Sequence, residues 1–261
     1  LQRHVIAIAG AELEVFEAGE GPPILFLHGA NGFAPEHPYV NALAMRHRLI
    51  APSHPGFGTS SLPDWIDTPD DIAYIHLALL DRLGLHQVDV IGCSLGGWIA
   101  CELATKHPQR VRRMVLVGPV GVKTGPVDRL DVPDIFALPQ DTLNALLFHD
   151  PERMRMDPSR FTDEQLAISV RNRETLTLLT WEPYMHNPKL PHRLHRITAP
   201  TLFVRGASDG LVSAPYIESY AQLLPDARVA TIAAAGHAPH VEQPDEFTRA
   251  ALAFLEAGDV R

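Results

Sequence analysis

"DVIGCSLGGWIA", residues 89–100, decides how this chain is read. Apolar residues run up to Gly92, a serine stands at 94 between glycines at 92 and 96, and an apolar helical pattern resumes at Trp98 and Ile99. The pattern predicts a buried strand that turns sharply into a helix, with Ser94 at the bend. Gly92-Cys93-Ser94-Leu95-Gly96 fits G-x-S-x-G, and strand before, helix after is the setting in which that motif exposes a nucleophilic hydroxyl. The glycines let backbone segments approach closely. The first N–H groups of the helix would face the same spot, where negative charge is stabilised. Serine is also a favoured helix N-cap, so a capped turn is the lesser reading of the pentapeptide alone. The rest of the chain has to separate the two.

Working outward, "HVIAIAG" and "ELEVFEAG" alternate and read as an antiparallel hairpin. Short apolar runs follow at 23–29, 47–53, 88–92, 111–118, 201–206 and 227–233. Between them lie helical patterns: Ile72, Ile75, Leu79, Leu80 and Leu83, then the segment after Ser94, then 213–224 and 245–256. Such alternation predicts a mostly parallel, eight-stranded sheet with helices on both faces, an α/β class fold. Residues 122–196 break the rhythm, with no convincing strand and helical stretches near 140–148 and 163–180. A structureless connection of that length is improbable. The expected organisation is therefore a core in two parts, 1–121 and 197–261, with a helical cap at 122–196 over the carboxyl ends of the strands, where open α/β sheets bind ligands.

Two loops at that edge carry partners for the serine. "LFVRGASDG" places Asp209 just beyond a strand, and "TIAAAGHAPH" places His237 after the last one. The order Ser94, Asp209, His237 suits a nucleophile, an orienting acid and a base. His240, three residues on, competes with His237 and is assigned a structural hydrogen bond to a neighbouring loop. An oxyanion needs two donors: the N–H of Leu95 and one from "LFLHGANGF" (25–33), where Ala30 is favoured and Asn31 stays open. His28 is expected to order that loop.

On these residues the chain resembles the α/β-hydrolase superfamily, in its capped esterase and carbon–carbon (meta-cleavage-product) hydrolase branch. The motifs are "LFLHGANG", "APSHPGFGTS", "GCSLGG", "PTLFVRGASD" and "GHAPHVEQPDEF". They span the chain from residue 23 to the last helix and leave the cap unmatched. The resemblance implies an acyl-enzyme formed on Ser94. It also excludes relatives whose elbow carries a carboxylate, the haloalkane dehalogenases and soluble epoxide hydrolases. Two departures stand out. Ser53-His54 replaces an Asp-containing turn, where serine is expected to cap. Cys93 precedes the nucleophile where carbon–carbon hydrolases often have a polar residue.

Composition narrows the rest. The chain has 261 residues and a formal net charge of −9, which disfavours a nucleic-acid partner. It contains no apolar run long enough for a bilayer, and "LQRHVIAIAG" carries no basic leader with a long apolar stretch. Cys93 and Cys101 are the only cysteines and lie too far apart on the bend and helix for a disulfide, so a reducing, cytoplasmic setting is expected. No cofactor and no metal are expected; the partner is a small molecule. The pocket is assigned to Asn31, Phe33, Phe148, Trp181, Tyr184, Met185 and Leu211, with Leu138 as a further wall residue; for any single apolar one of them a place in the cap's own small core is at least as strong a reading. Arg155, Arg171 and Arg173 read first as solvated helix residues and second as candidates for a substrate carboxylate. Arg110, Arg112 and Arg113 read as a solvated edge. Cleavage of a small to medium carboxylic ester is the first functional reading. Hydrolysis of a vinylogous diketone from ring fission is the second, and a silent receptor on the same fold the third. Thioesters, lactones and perhydrolysis stay open.

Overall fold

The computed structural model describes residues 1–155 and 157–258. Eight strands form one sheet in the order β1-β2-β4-β3-β5-β6-β7-β8. They are β1 (Gln2–Ile8), β2 (Ala11–Ala18), β3 (Pro23–Leu27), β4 (Arg48–Pro52), β5 (Val88–Cys93), β6 (Val111–Val117), β7 (Thr201–Gly206) and β8 (Ala227–Ile232). The β1–β2 hairpin is antiparallel and β2 meets β4 antiparallel; every other pairing is parallel. This is the α/β-hydrolase fold that the resemblance implied.

Alternation along the central strands builds two cores. Leu25, Leu27, Val90, Leu116 and Phe203 face one side, against α2 (Pro69–Arg82), α3 (Leu95–Lys106) and α6 (Ala214–Ala221). Ile24, Phe26, Ile91, Cys93, Val115 and Val204 face the other, against α1 (Pro38–Ala44) and α8 (Pro244–Leu255). The short α1 and α7 (Pro239–Glu242) were not foreseen. Their seven and four residues are too few for periodicity to register.

The insertion carries α4 (Gln140–Leu147) and α5 (Asp163–Thr180). A reciprocal capping box between Thr162 and Gln165 starts α5, which explains why a helix with a largely exposed first half begins so sharply. Where the chain leaves and re-enters the core, Gly121 and His186 form a bridge. Among the described residues no helix is long and apolar enough to cross a membrane.

The basic run at 110–113 is not a solvated edge. Arg110 bonds Asp81 and the Leu85 carbonyl, Arg112 pairs with Asp89 and the Leu255 carbonyl, and Arg113 reaches the carbonyl of Ala257. Free carbonyls at two helix ends need donors, and arginine forks supply them.

Candidate active site

Ser94 sits at φ 51°, ψ −113°, one of four non-glycine residues with positive φ among the described residues. Its hydroxyl makes no capping bond to α3, so the plain N-cap reading fails. The backbone holds the bend instead. Ser94 N–H donates to the Val117 carbonyl at 2.8 Å, and the Ser94 carbonyl accepts from Gly97 and Trp98 at 3.0 and 3.2 Å. Crowding explains the flanking glycines. A Cβ on Gly96 would lie 2.0 Å from the Leu27 carbonyl oxygen, and one on Gly92 would lie 2.6 Å from that of Gly96. Both neighbours are backbone and cannot swing away. Gly96→Ala is accordingly expected to cost about 3 kcal/mol of stability, read as a lower urea midpoint at unchanged slope.

Asp209 and His237 are brought together. His237 Nδ1 and Asp209 Oδ2 are 2.9 Å apart, with the Asp209 side chain fully buried. The other carboxylate oxygen accepts the N–H groups of Leu211 and Val212 at 2.9 and 3.0 Å, which fixes the rotamer. A carboxylate only accepts, so Nδ1 carries the proton and Nε2 keeps its lone pair. Nε2 is buried and has no partner; no hydrogen bond joins it to the Ser94 hydroxyl. Catalytic hydrogen bonds commonly tighten only once substrate is bound. The end of β6 brings the serine and the pair to one place. Val117 binds Ser94 N–H, and a Cβ on the next residue, Gly118, would be 3.0 Å from His237 Nδ1 and 3.4 Å from Asp209 Oδ2.

The loop after β3 closes the site from the other side. A Cβ on Gly29 would lie 3.4 Å from Ser94 Cβ. His28 orders the loop through a chain that the sequence did not disclose. The His54 N–H donates to His28 Nε2 at 3.0 Å, so His28 carries its proton on Nδ1 and donates to the Gly29 carbonyl at 2.7 Å. His54 Nε2 donates to the His28 carbonyl at 3.0 Å, which leaves its Nδ1 to accept from His76 Nε2 at 2.8 Å. The His54 N–H thus sets the His28 tautomer, the His28 carbonyl sets that of His54, and His54 Nδ1 sets that of His76. Burial pushes His28 down to about 4 and His76 down to about 3, and holds His54 well below the ordinary histidine range, so all three stay neutral. Ser53 does not cap its turn: its hydroxyl donates at 2.7 Å to the buried carboxylate of Glu14, on β2.

Two further positioning groups went unread. Glu242, inside the quoted "GHAPHVEQ" stretch, gathers the N–H groups of Gly236, His149 and Asp150 at 2.6, 2.8 and 3.3 Å. It ties the His237 loop to the segment after α4. Asn172, on α5, reaches the loop after β3. Among the described residues His240 has no hydrogen bond to a neighbouring loop; its ring packs among Tyr39, Phe247 and Phe26 at centroid distances of 5.2, 5.8 and 6.5 Å. Cys93 packs in the core beside α1 and α8, and burial pushes its thiol up, which removes it as a nucleophile.

Several of the residues assigned to the pocket are engaged in local packing. Trp181 is 56% exposed and pairs with Phe136 at 6.1 Å. The Tyr184 hydroxyl is spent inside the cap, donating to the Pro133 carbonyl and accepting from Ile135 N–H. Tyr184 and Met185 line a cavity of about 250 Å³ with Val122, Val132, Pro183 and His186, on the segment whose Val120 N–H donates to the Ser94 carbonyl at 3.4 Å. Phe33 packs on Phe16 and Phe26 at 5.3 and 5.6 Å, in the opposite core. Tyr184 packs inside the cap, which must bury its own apolar surface, whereas Phe33 belongs to a core of the sheet. Leu211 and Phe148 stay near the histidine: Leu211 N–H holds Asp209, and Phe148 Cα would be 2.8 Å from a Cβ on Gly236. Leu138 is half-buried against the core that includes the cap. Asn31 is exposed, and its carbonyl faces α5. The three cap arginines are committed elsewhere: Arg155 to Asp141, Arg171 to the Ser60 carbonyl, and Arg173 to the Ile135 carbonyl and the Phe136 ring.

Comparison with known proteins adds identity to this geometry. The sequence model described as the alpha/beta hydrolase family matches residues 24–250. A 2-hydroxymuconate semialdehyde hydrolase of Pseudomonas putida is 27% identical, aligned over 98% of this chain and 95% of its own. A 2-hydroxy-6-oxo-6-phenylhexa-2,4-dienoate hydrolase of Comamonas testosteroni is 28% identical over 92% of this chain and 89% of its own. Among solved structures, the meta-cleavage product hydrolase of Pseudomonas fluorescens IP01 superposes with a TM-score of 0.76 at 23% identity, covering 97% of each chain.

Proposed function

Because the chain belongs to the alpha/beta hydrolase family, we propose that it hydrolyses a carbon–carbon bond in a vinylogous diketone of the ring-fission type. The supporting observation is the alignment, end to end, with hydrolases named for such dienoates. This replaces the carboxylic-ester reading. An elbow serine and a histidine–aspartate pair serve ester and ketone carbonyls alike, so the first reading rested on what the two reactions share, and the full-length relatives favour the second.

The residues supply each step. His237 Nε2 removes the Ser94 proton as the oxygen attacks the ketone carbon, and Asp209 steadies the imidazolium. The alkoxide is held by the N–H groups of Leu95 and Ala30. The bond breaks in the diketo tautomer, formed by moving the 2-hydroxyl proton to the carbon beside the ketone; as the alkoxide collapses, the released electron pair spreads through the remaining double bond to the distant carbonyl oxygen. His237 returns the proton to that enolate. Water, deprotonated by the same nitrogen, then frees the acid from Ser94. One water is consumed, and a carboxylic acid and a dienol leave.

The test compares kcat/KM for a 2-hydroxy-6-oxo-dienoate with that for a short p-nitrophenyl ester. A preference of about a hundredfold or more for the dienoate is expected, since a site built for one carbonyl environment discriminates on that scale. A fluorophosphonate-reactive Ser94 with no turnover of any dienoate would defeat the proposal; an unreactive Ser94 in folded protein would return the receptor reading.

A further inference from the structure

The oxyanion loop is aimed from two sides, and one of them is the cap. Asn172 lies 141 residues from Asn31 in sequence, yet its Nδ2 donates to the Asn31 carbonyl at 3.0 Å. Its Oδ1 accepts from Gly58 N–H at 2.9 Å, so the amide is oriented by its own second bond. Asn172 is 4% exposed, which makes both bonds costly to lose. The approach is close: a Cβ on Gly32, at φ +88°, would be 3.0 Å from Nδ2.

Follow the peptide planes inward from that contact. The Asn31 carbonyl belongs to the Asn31–Gly32 peptide, whose N–H end donates to the Gly29 carbonyl at 3.2 Å. The Gly29 carbonyl belongs in turn to the Gly29–Ala30 peptide, and its other acceptor contact is His28 Nδ1 at 2.7 Å. A trans peptide points its N–H opposite to its carbonyl. Holding the Gly29 oxygen therefore sets the direction of the Ala30 N–H. Two planar units connect a cap side chain to that donor, and hydrogen bonds in series polarise and stiffen one another.

We propose that Asn172 is a positioning residue for the oxyanion site: from α5 it fixes the aim of the Ala30 N–H, so that a seated cap and a competent serine site are one arrangement. This rests on the serine-hydrolase part of the reading above and not on the substrate. Neighbouring bonds supply a control. Thr175 Oγ1, one helical turn on, donates to the Gly56 carbonyl at 2.9 Å and so anchors the same helix without touching the oxyanion loop.

The experiment measures saturation kinetics of Ser94 phosphonylation by a fluorophosphonate, whose phosphoryl oxygen takes the oxyanion position. Asn172→Asp keeps the acceptor for Gly58 and removes the donor for Asn31; Asn172→Ala removes both without adding charge. Both are expected to lower the limiting phosphonylation rate about tenfold, below the loss for deleting a donor outright, with the half-saturating probe concentration unchanged. Thr175→Val should lower Tm by a similar amount and leave that rate within twofold of wild type. Equal rates in wild type and both Asn172 variants overturn the inference, as does an equal loss in Thr175→Val. Wild type that is labelled normally but turns over no dienoate sinks the substrate proposal alone.

Discussion

Asp209→Asn is expected to lower kcat about 10⁴-fold while leaving the fold and KM nearly intact. The tautomer of His237 decides the effect. In the native site Oδ1 accepts from two backbone N–H groups, Leu211 and Val212, and Oδ2 faces His237 Nδ1. An asparagine at 209 must keep its oxygen on those two donors, because an NH₂ group turned towards them would leave both buried N–H groups unpaired. Its NH₂ then faces His237 Nδ1 and asks it to accept. The proton moves to Nε2, where the lone pair was needed to take the serine proton. Loss of the base by a change of tautomer costs on the order of 10⁴-fold in kcat where it has been isolated in a serine triad. Single-turnover rates of the wild type and variant, with circular dichroism to confirm folding, decide the matter. A variant within tenfold of wild type would mean that Asp209 does not orient the base.

The sheet, the bend at Ser94 and the Asp209–His237 pair were legible in the sequence for a common physical reason. Each is encoded by residues close together, or by alternation that repeats from strand to strand. G-x-S-x-G is legible because crowding at the bend admits nothing larger than glycine at 92 and 96. The supporting polar groups were not legible, since their meaning depends on partners far away. Asn172 is an ordinary polar residue on a helix until the fold brings it to Asn31. His54 and His76 are two histidines among 14 until a shared proton order links them to His28. The pocket aromatics misled for the converse reason. Trp181, Tyr184 and Phe33 have the composition of a binding wall, but composition does not say which of two cores, or which side of a cap, a ring will fill.

The neutral histidines also predict steep acid unfolding. His28, His76 and His240 are pushed down to about 4, 3 and 3, in each case chiefly by burial, and His54 is held well below its ordinary value. Each binds a proton more readily when unfolded, near 6.5, than when folded. Their contribution is therefore complete above about pH 6.5 and declines as pH falls through the window towards 3. Each group adds up to about 1.4 kcal/mol per pH unit within it. With domains stable by roughly 5–15 kcal/mol, four such groups place the unfolding transition above the range where most carboxylates are protonated. Glu14 adds to the loss further down. Burial works to raise its carboxyl, but hydrogen bonds from Ser53, Thr59 and Arg3 prevail and hold it below the usual value. Its share is present above the unfolded carboxylate range and goes as pH drops through the folded one. Urea midpoints from pH 8 to 4.5 test this. They should be level above 7 and fall steeply below 6.5. His240→Phe, placed among Tyr39, Phe247 and Phe26, should reduce the slope by one histidine's share. Midpoints that stay flat from pH 7 to 5 would mean that these rings take up protons within the folded protein, and that the directional chain behind the oxyanion loop does not hold.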